Sequence, residues 1–192
     1  MPQQEIPIFY PPTVNAWRNW LEKNHISQKA VWVVFYRKSS GKKTITWSES
    51  VDVALCFGWI DSKKIKIDDE TSHQFFTKRK PKSTWSKINK EKVEQLIASG
   101  LMTKAGLIAI EIAKRNGCWS VLDEVEELVI PKDLTAAFTK YPGSKEYFSG
   151  LSKSIKKGML QWLVFAKRPE TREKRITEIA SLAAKQQKPK SF

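Results

Sequence analysis

Hydrophobic residues in the N-terminal part of the chain fall into short runs of β-branched and aromatic side chains, which are typical of strands. The strongest run is 30–38 (AVWVVFYRK), and two further runs, 60–67 (IDSKKIKI) and 73–79 (HQFFTKR), flank an acidic turn at 68–70. A shorter strand is predicted at 44–47. Because short strands joined by tight turns pair antiparallel, the pattern predicts a small antiparallel sheet.

Helices are indicated elsewhere by apolar residues three or four positions apart and by residues that favour helix ends. Thr13 begins a predicted helix that ends near Asn24, and Ser48 begins one that ends before Gly58. From Ser83 onward the strand pattern disappears. The later helices are predicted from Ile88, Val93, Leu96 and Ile97 before Gly100, from Thr103 to Asn116, from Pro131 to about Tyr141, from Ile155, Met159, Trp162, Leu163 and Ala166, and from Ile176, Ile179, Ala180 and Ala183.

The predicted fold class is therefore α+β, with a small N-terminal antiparallel sheet with helices followed by a C-terminal helical bundle. We expect an N-terminal α+β part at 1–82, connecting helices at 83–118 and a C-terminal helical domain at 119–192. A chain of 192 residues is long enough to bury a proper core. Strand order and oligomeric state do not follow from the pattern.

A large excess of basic residues indicates an anionic partner. The chain has 34 Lys and Arg against 20 Asp and Glu, a formal net charge of +14. This excess favours nucleic acid, an acidic ligand or anionic lipid, although a solvated cationic surface that only confers solubility has the same composition. Contact with a membrane surface ranks lowest, because the last predicted helix lacks a bulky apolar face.

The termini and the cysteines bear on the compartment. The N-terminus shows no signal-peptide pattern, and no apolar run approaches the roughly 20 residues that a membrane span requires. The two cysteines, Cys56 and Cys118, are either free or joined in a single disulfide, and so low a number fits a reducing compartment. We therefore expect a cytoplasmic protein without a transmembrane segment.

The basic stretch 77–92 (TKRKPKSTWSKINKEK) is the richest candidate binding segment. Cationic groups, hydroxyls and an indole together suit phosphate contact with stacking, and a helix that begins after Ser86 presents amides that favour an anion. The alternative is a solvated linker with its tryptophan inside the core. The candidate anion-binding residues here are Arg79, Lys80, Lys82, Trp85, Ser86 and Lys87.

The segment 56–62 (CFGWIDS) joins a helix to a strand and gives a second candidate, a pocket edge formed by Trp59, Asp61 and Ser62. In this interpretation Asp61 is a general base or accepts a hydrogen bond from a ligand. The alternative is structural, with Trp59 in the core and Asp61 bonded within a turn. A Ser62–His73–Asp61 triad has no support from the spacing.

Two arginines of the last helix, Arg172 and Arg175, fall on or near its apolar stripe. A buried arginine needs a carboxylate or a ligand, because leaving its charge unpaired is costly. Both residues are therefore anion-binding candidates. The alternative is an internal ion pair, with the acidic patch at 124–127 as a possible partner.

Metal, cofactor and catalytic signals are missing from the sequence. Its only histidines, His25 and His73, have no metal-ligating residue at a suitable spacing, and no nucleotide-binding glycine pattern occurs. We expect no metal and no cofactor, and we find no complete catalytic constellation.

Several of these segments together resemble the bacterial YdeI/OmpD-associated, or bacteriocin-protection, proteins. They are 17–25 (WRNWLEKNH), 31–38, 54–62 (ALCFGWIDS), 77–89 (TKRKPKSTWSKIN), 101–106 (LMTKAG), 131–134 (PKDL) and 166–176. The helical part from about Trp119 resembles the domain that defines the family. The resemblance implies a role in bacteriocin protection and stress resistance, and it assigns no catalytic residue. It also implies a periplasmic location and an association with a porin, from which this sequence departs because it shows no signal peptide.

The function that follows is a non-enzymatic protection protein that binds an anionic partner, such as nucleic acid, through a basic face. The alternative is a small-molecule-binding enzyme or sensor with a pocket near Trp59, Asp61, Arg79 and Trp85.

Overall fold

The computed structural model describes residues 5–190 and 192. The chain divides after Trp119 into two compact units. The first is α+β and the second is helical. The predicted α+β class is confirmed, and the segment 83–118, predicted to connect two domains, lies within the first unit.

The first unit contains a four-stranded sheet in the order β1-β2-β4-β3. The strand β1 runs parallel to β2, and the other neighbouring pairs are antiparallel. The elements are β1 (Ile8–Phe9), α1 (Val14–Asn24), β2 (Ala30–Tyr36), a short 3₁₀ turn (Lys38–Ser40), α2 (Trp47–Cys56), β3 (Trp59–Lys66), β4 (Thr71–Lys78), α3 (Lys87–Ala98) and α4 (Lys104–Arg115).

The predicted hairpin is formed by β3 and β4, and a local hydrogen-bonding motif closes it. The Asp68 carboxylate accepts hydrogen bonds from the backbone N–H groups of Glu70 (2.8 Å) and Thr71 (2.6 Å). Short polar side chains stabilise turns in this way. A hydrogen bond from the Thr71 side chain, together with these two backbone bonds, holds the pKa of Asp68 below its usual value.

The strand predicted at 44–47 is wrong, and so is the prediction that Ser48 begins the next helix. Thr46 is the N-terminal cap of α2: its hydroxyl accepts from the Glu49 amide, while the Glu49 carboxylate accepts from the Thr46 amide at 2.7 Å. This reciprocal pair is a capping box. The run of β-branched residues before Trp47 therefore ends at a helix start, since capping overrides its strand propensity.

The core of the first unit lies between the sheet and its helices. Trp17 and Leu21 of α1 are fully buried, as their spacing predicts, and Trp17 packs against Phe76 of β4 with ring centroids 5.4 Å apart. Helices α3 and α4 contribute to the same core through Val93, Leu96, Ile110 and Ala113.

A close contact between α2 and α4 fixes the position of α4. The amide and the hydroxyl of Thr103 both donate to the Cys56 carbonyl oxygen, at 3.2 and 2.6 Å. One turn later, Gly106 lies so close that a β-carbon there would be 2.4 Å from the same oxygen and 2.8 Å from that of Leu55. Only glycine fits at this position.

The second unit consists of α5 (Asp123–Glu126), α6 (Lys132–Lys140), α7 (Ser144–Gly150), α8 (Lys153–Val164) and α9 (Pro169–Ala184). Its core includes Leu134, Phe138, Phe148, Met159, Leu163 and Ile179. Pro131 lies one position before α6 instead of being its first residue, and Pro169 begins α9. Among the described residues, no helix has the length and apolar composition needed to cross a bilayer.

Gly106→Ala is expected to lower the free energy of unfolding of the first unit by about 2 kcal/mol, since overpacking a tight contact costs roughly 1–3 kcal/mol. Urea-induced unfolding followed by circular dichroism measures the change.

Gly150→Ala is the matched control. Gly150 also lies in a helix, but a β-carbon there would meet nothing within 4 Å. Alanine favours a helix over glycine by up to about 1 kcal/mol, so we expect this variant to be as stable as the parent or slightly more stable. Equal effects of the two substitutions would contradict the close contact.

Candidate anion-binding cavity and family membership

The first unit has a concave cavity of about 460 Å³, which we call the Arg79 cavity. Its walls come from the end of α1, the start of β3, the end of β4 and one face of α4. The lining residues are His25, Ile26, Phe57, Gly58, Trp59, Lys78, Arg79, Lys80, Pro81, Lys104, Ala105, Ile108, Ala109 and Ile112.

The walls combine an apolar surface with positive charge. Ile26 and Ile108 are 78% and 54% exposed and lie together in the cavity lining. Lys78, Lys80 and Lys104 add cationic groups, and none of these described lining residues is acidic. The Lys78 ammonium donates to the Ile26 carbonyl oxygen at 2.5 Å.

Gly58 allows α4 to approach the sheet at the cavity floor. Its φ of +69° lies in the left-handed region that favours glycine, and a β-carbon would lie 3.0 Å from the Ala105 carbonyl oxygen. Its own carbonyl oxygen accepts from the Arg79 amide at 2.9 Å. The Gly58 backbone thus ties the strand carrying Arg79 to the wall formed by α4.

The Arg79 guanidinium is only partly satisfied by the protein. Its Nη1 donates to the Thr84 carbonyl oxygen at 2.9 Å, and its Cζ lies 3.7 Å from the centre of the Trp85 ring. Its Nε and Nη2 are buried and have no partner among the described residues. Burial lowers the pKa of Arg79 to about 10, and the negative charge of Asp61 opposes that shift.

Buried donors without a partner are concentrated around this residue. Besides the two arginine nitrogens, they are the indole nitrogens of Trp59 and Trp85 within the described part of the chain. Trp59 lines the cavity, and Trp85 stacks on Arg79. Each buried donor that is left unsatisfied lowers the free energy of unfolding by about 1–3 kcal/mol. All four atoms are donors, so an acceptor would complete the region.

The other residues of the basic stretch take different positions. Trp85 is only 1% exposed and packs against Trp119 with ring centroids 5.0 Å apart, so it is a core residue, as the alternative interpretation has it. Ser86 caps α3 by accepting from the Asn89 amide. Lys80, Lys82 and Lys87 are exposed. A role of these lysines in binding nucleic acid stays a prediction.

Asp61 and Ser62 lie on β3, outside the cavity lining. The Asp61 carboxylate accepts from the Trp47 indole at 2.9 Å and from the Gln74 amide at 3.2 Å, while the exposed Ser62 offers its carbonyl oxygen to Gln74. His73 directly precedes Gln74 on β4, so its side chain lies on the opposite face of the sheet, because side chains alternate along a strand. The three triad candidates are therefore not brought together.

Sequence reasoning missed the wall formed by α4, although a signal for it exists. Gly106, Ile110 and Ala113 of this helix are buried, as one apolar stripe predicts. A second stripe, Ala105, Ile108, Ala109 and Ile112, lines the cavity. Since a surface helix normally has one apolar stripe, two stripes indicate a second contact surface.

Family models match both units. Residues 9–109 match the family described as Domain of unknown function (DUF8412), and residues 127–186 match the family described as Bacteriocin-protection, YdeI or OmpD-Associated. The chain belongs to the DUF8412 family and carries a YdeI/OmpD-associated domain. The predicted family resemblance is thus confirmed. Neither curated proteins nor solved structures gave a match.

The YdeI/OmpD-associated domain pairs its candidate arginines internally. Arg172 donates from Nε to Asp133 Oδ2 (2.6 Å) and from Nη2 to Asp133 Oδ1 (3.1 Å). For Arg172 the structure has the internal ion pair that was the alternative to a ligand. The carboxylate of the pair belongs to Asp133 and not to the acidic patch at 124–127. Arg175 donates to the Trp162 carbonyl oxygen at 2.5 Å and stacks on that ring.

Both cysteines are free, and Cys56 is buried. Burial raises the pKa of the Cys56 thiol. Across residues 5–190 and 192, no three His, Cys, Asp or Glu side chains converge in a way that would hold a metal ion.

Asp133→Asn is expected to destabilise the YdeI/OmpD-associated domain by about 1 kcal/mol at neutral pH, because the pair is partly exposed and screened. Arg172 holds the pKa of Asp133 below its usual value. The stabilisation is present above the unfolded-state pKa, near 3.9, and is lost as the pH falls through the lowered folded-state pKa. Urea unfolding should therefore show a smaller difference between the parent and Asp133→Asn near pH 3 than at neutral pH.

Glu173→Gln is the control, since it makes the same chemical change at an exposed neighbour on α9. An equal loss in both variants at neutral pH would contradict a specific role of the Asp133–Arg172 pair.

Proposed function

We propose that the first unit is a non-enzymatic binding module for a small organic anion, which the Arg79 cavity holds. The observation that carries the proposal is the unsatisfied edge of Arg79. Its Nε and Nη2 are the two donors with which an arginine binds a carboxylate or phosphate through parallel hydrogen bonds.

Arg172 of the same chain shows how these two arginine nitrogens bind a carboxylate. In Arg172, the same two nitrogens hold both oxygens of Asp133. In Arg79 the same two nitrogens are buried and have no acceptor within residues 5–190 and 192. A buried arginine without a carboxylate is costly, and an anionic ligand would supply the missing charge. The lysines of the lining add to the attraction.

The apolar wall supports an organic anion over a bare inorganic one. Ile26, Ile108 and Ile112 would cover an apolar body while the arginine holds the charged group. Such a division, with a mostly apolar lining and a few polar groups that fix orientation, is typical of small-molecule sites. Because Nε and Nη2 are shielded from solvent, the proposal requires the Arg79 side chain to rotate slightly before an anion can engage them.

The lining residues favour binding over catalysis. Among those described, the side chains include no carboxylate, hydroxyl or thiol, and the His25 Nδ1 lies 2.9 Å from the Leu21 carbonyl oxygen. The protective role named in the family description belongs to the same proposal: ligand binding by the first unit would accompany protection by the YdeI/OmpD-associated domain.

Arg79→Gln is expected to abolish binding of benzoate, a probe with one carboxylate on a small apolar ring. Isothermal titration should show a benzoate signal for the parent and none for the variant. Benzyl alcohol, which has the same ring without the charge, should bind neither protein. We expect at least a ten-fold loss of affinity, the size of one charge-assisted hydrogen bond of about 1.5 kcal/mol or more.

Lys82→Gln is the matched control, because it removes one exposed positive charge of the basic stretch that does not line the cavity. It should bind benzoate like the parent. Equal benzoate binding by all three proteins, or equal binding of the alcohol, would overturn the proposal.

Arg79→Met is expected to raise the free energy of unfolding of the ligand-free protein by about 1 kcal/mol, because an unpaired buried charge is replaced by an apolar chain. Arg172→Met should lower it by a similar amount, since that arginine is paired. Urea unfolding compares the two. A loss of stability for Arg79→Met as large as that for Arg172→Met would mean that the protein itself satisfies Arg79.

A further inference from the structure

The sheet of the first unit has one face toward the core and one face away from it. On β2, Val31 and Val33 are core residues, so Trp32 between them lies on the other face. On β4, Phe76 is in the core and Gln74 is buried on the same side, so Phe75 lies on the face of Trp32.

Aromatic rings meet on this outer face. Trp32 and Phe75 are directly paired in the β2–β4 register, and their ring centroids are 4.6 Å apart. The His73 ring lies 6.4 Å from that of Trp32. These three side chains are partly exposed, while the core residues beside them are buried. We call Trp32, His73, Phe75 and their neighbour Lys63 the open sheet face.

Exposed apolar residues extend this surface to both sides. Ile8 of β1, in register with Trp32, is 64% exposed, and Ile65 of β3, in register with His73, is 38% exposed. A pair such as Trp32 and Phe75 stabilises a sheet by itself. Sheet stabilisation by this pair does not explain why the isoleucines around it remain exposed.

A cation completes the arrangement. The Lys63 ammonium lies 5.3 Å from the Trp32 ring centre and 5.6 Å from that of Phe75. On the same strand as Trp32, Tyr36 has the Lys42 ammonium 4.3 Å from its ring. Positive charge thus adjoins flat aromatic surfaces at two places along β2.

We infer that the open sheet face binds single-stranded nucleic acid, with bases stacked on Trp32 and Phe75 and phosphates held by Lys63. Stacking requires unpaired bases, since those of a duplex are already covered on both sides. A neutral sugar chain also stacks on aromatic rings, but the adjoining ammonium groups and the net charge of +14 favour an anionic polymer.

This inference does not rest on the proposal for the Arg79 cavity, because the two sites share no residue. It also places stacking at residues other than Trp85, which is buried. The basic stretch and the open sheet face are therefore separable by mutation.

The test is fluorescence anisotropy of the full chain with a labelled oligothymidylate of about twelve nucleotides, at low and moderate salt. Trp32→Leu and Phe75→Leu should each weaken binding about ten-fold, the effect of losing one stacked base. Lys63→Gln should weaken binding less and reduce its dependence on salt.

Matched controls separate stacking from charge and from folding. Trp47→Leu removes a 52% exposed tryptophan outside this face, and Lys23→Gln removes an exposed lysine of α1. Both should bind like the parent, and so should Arg79→Gln. Circular dichroism and melting curves establish that each variant is folded; if Trp32→Leu is not, Phe75→Leu and Lys63→Gln carry the test.

Three results would overturn the inference. They are no binding of the oligonucleotide at low salt, equal binding by the face variants and their controls, and equal binding of a duplex or of heparin. The last would reveal attraction by charge alone. Binding of a neutral oligosaccharide that is lost in Trp32→Leu would assign the face to sugar chains instead.

Discussion

The position of α4 depends on a single carbonyl group, that of Cys56 at the end of α2. Thr103 donates two hydrogen bonds to it just before α4 begins, and Gly106 allows the helix to pass close over it. With α4 held there, one apolar stripe of the helix enters the core and the other forms the cavity wall. A side chain at Gly106 would push the helix away and open both surfaces at once.

The Arg79 cavity, which we propose as a binding site, differs from a packed core in how its charge is satisfied. Two other partly buried charges, Arg172 and Lys92, are matched by nearby carboxylates, while Arg175 has a carbonyl oxygen and an aromatic ring. Arg79 also has a carbonyl oxygen and an aromatic ring, but two of its buried nitrogens have no acceptor among the described residues. Keeping this edge of Arg79 buried and oriented lowers the free energy of unfolding of the ligand-free protein. Such local cost is expected where a site is organised before its ligand arrives.

Much of the fold followed from local signals, because those signals act over a few residues. The caps at Thr13 and Ser86, the turn at Asp68 and the glycines after the helices predicted element boundaries closely. The strand at 44–47 failed where a capping box at Thr46 competed with strand propensity. Both are local effects, and their balance is decided by the Glu49 side chain three residues later.

The candidate site was harder to predict, because it depends on contacts between distant segments. Arg79 and the basic stretch were recognised from charge, but whether Trp85 lies inside or outside is set by packing against Trp119. His25 and Lys104 reach the cavity from separate helices. The partner of Arg172, likewise, is 39 positions away in sequence, and charge alone indicated the acidic patch at 124–127, which is still farther away.

The strand order β1-β2-β4-β3 has a consequence for how the chain acquires its structure. The β3–β4 hairpin is local, whereas β2, which ends at Tyr36, must wait for β4, which begins at Thr71. Closing so long a loop is slow compared with forming a hairpin or a helix. During synthesis, β2 emerges well before its antiparallel partner, and β1 can cover only one of its edges. The second unit also joins distant segments, since Arg172 of α9 binds Asp133 of α6, but each of its helices has its backbone hydrogen bonds before that contact forms. The strand β2 has no such internal hydrogen bonds, so its exposure during synthesis is the longer one.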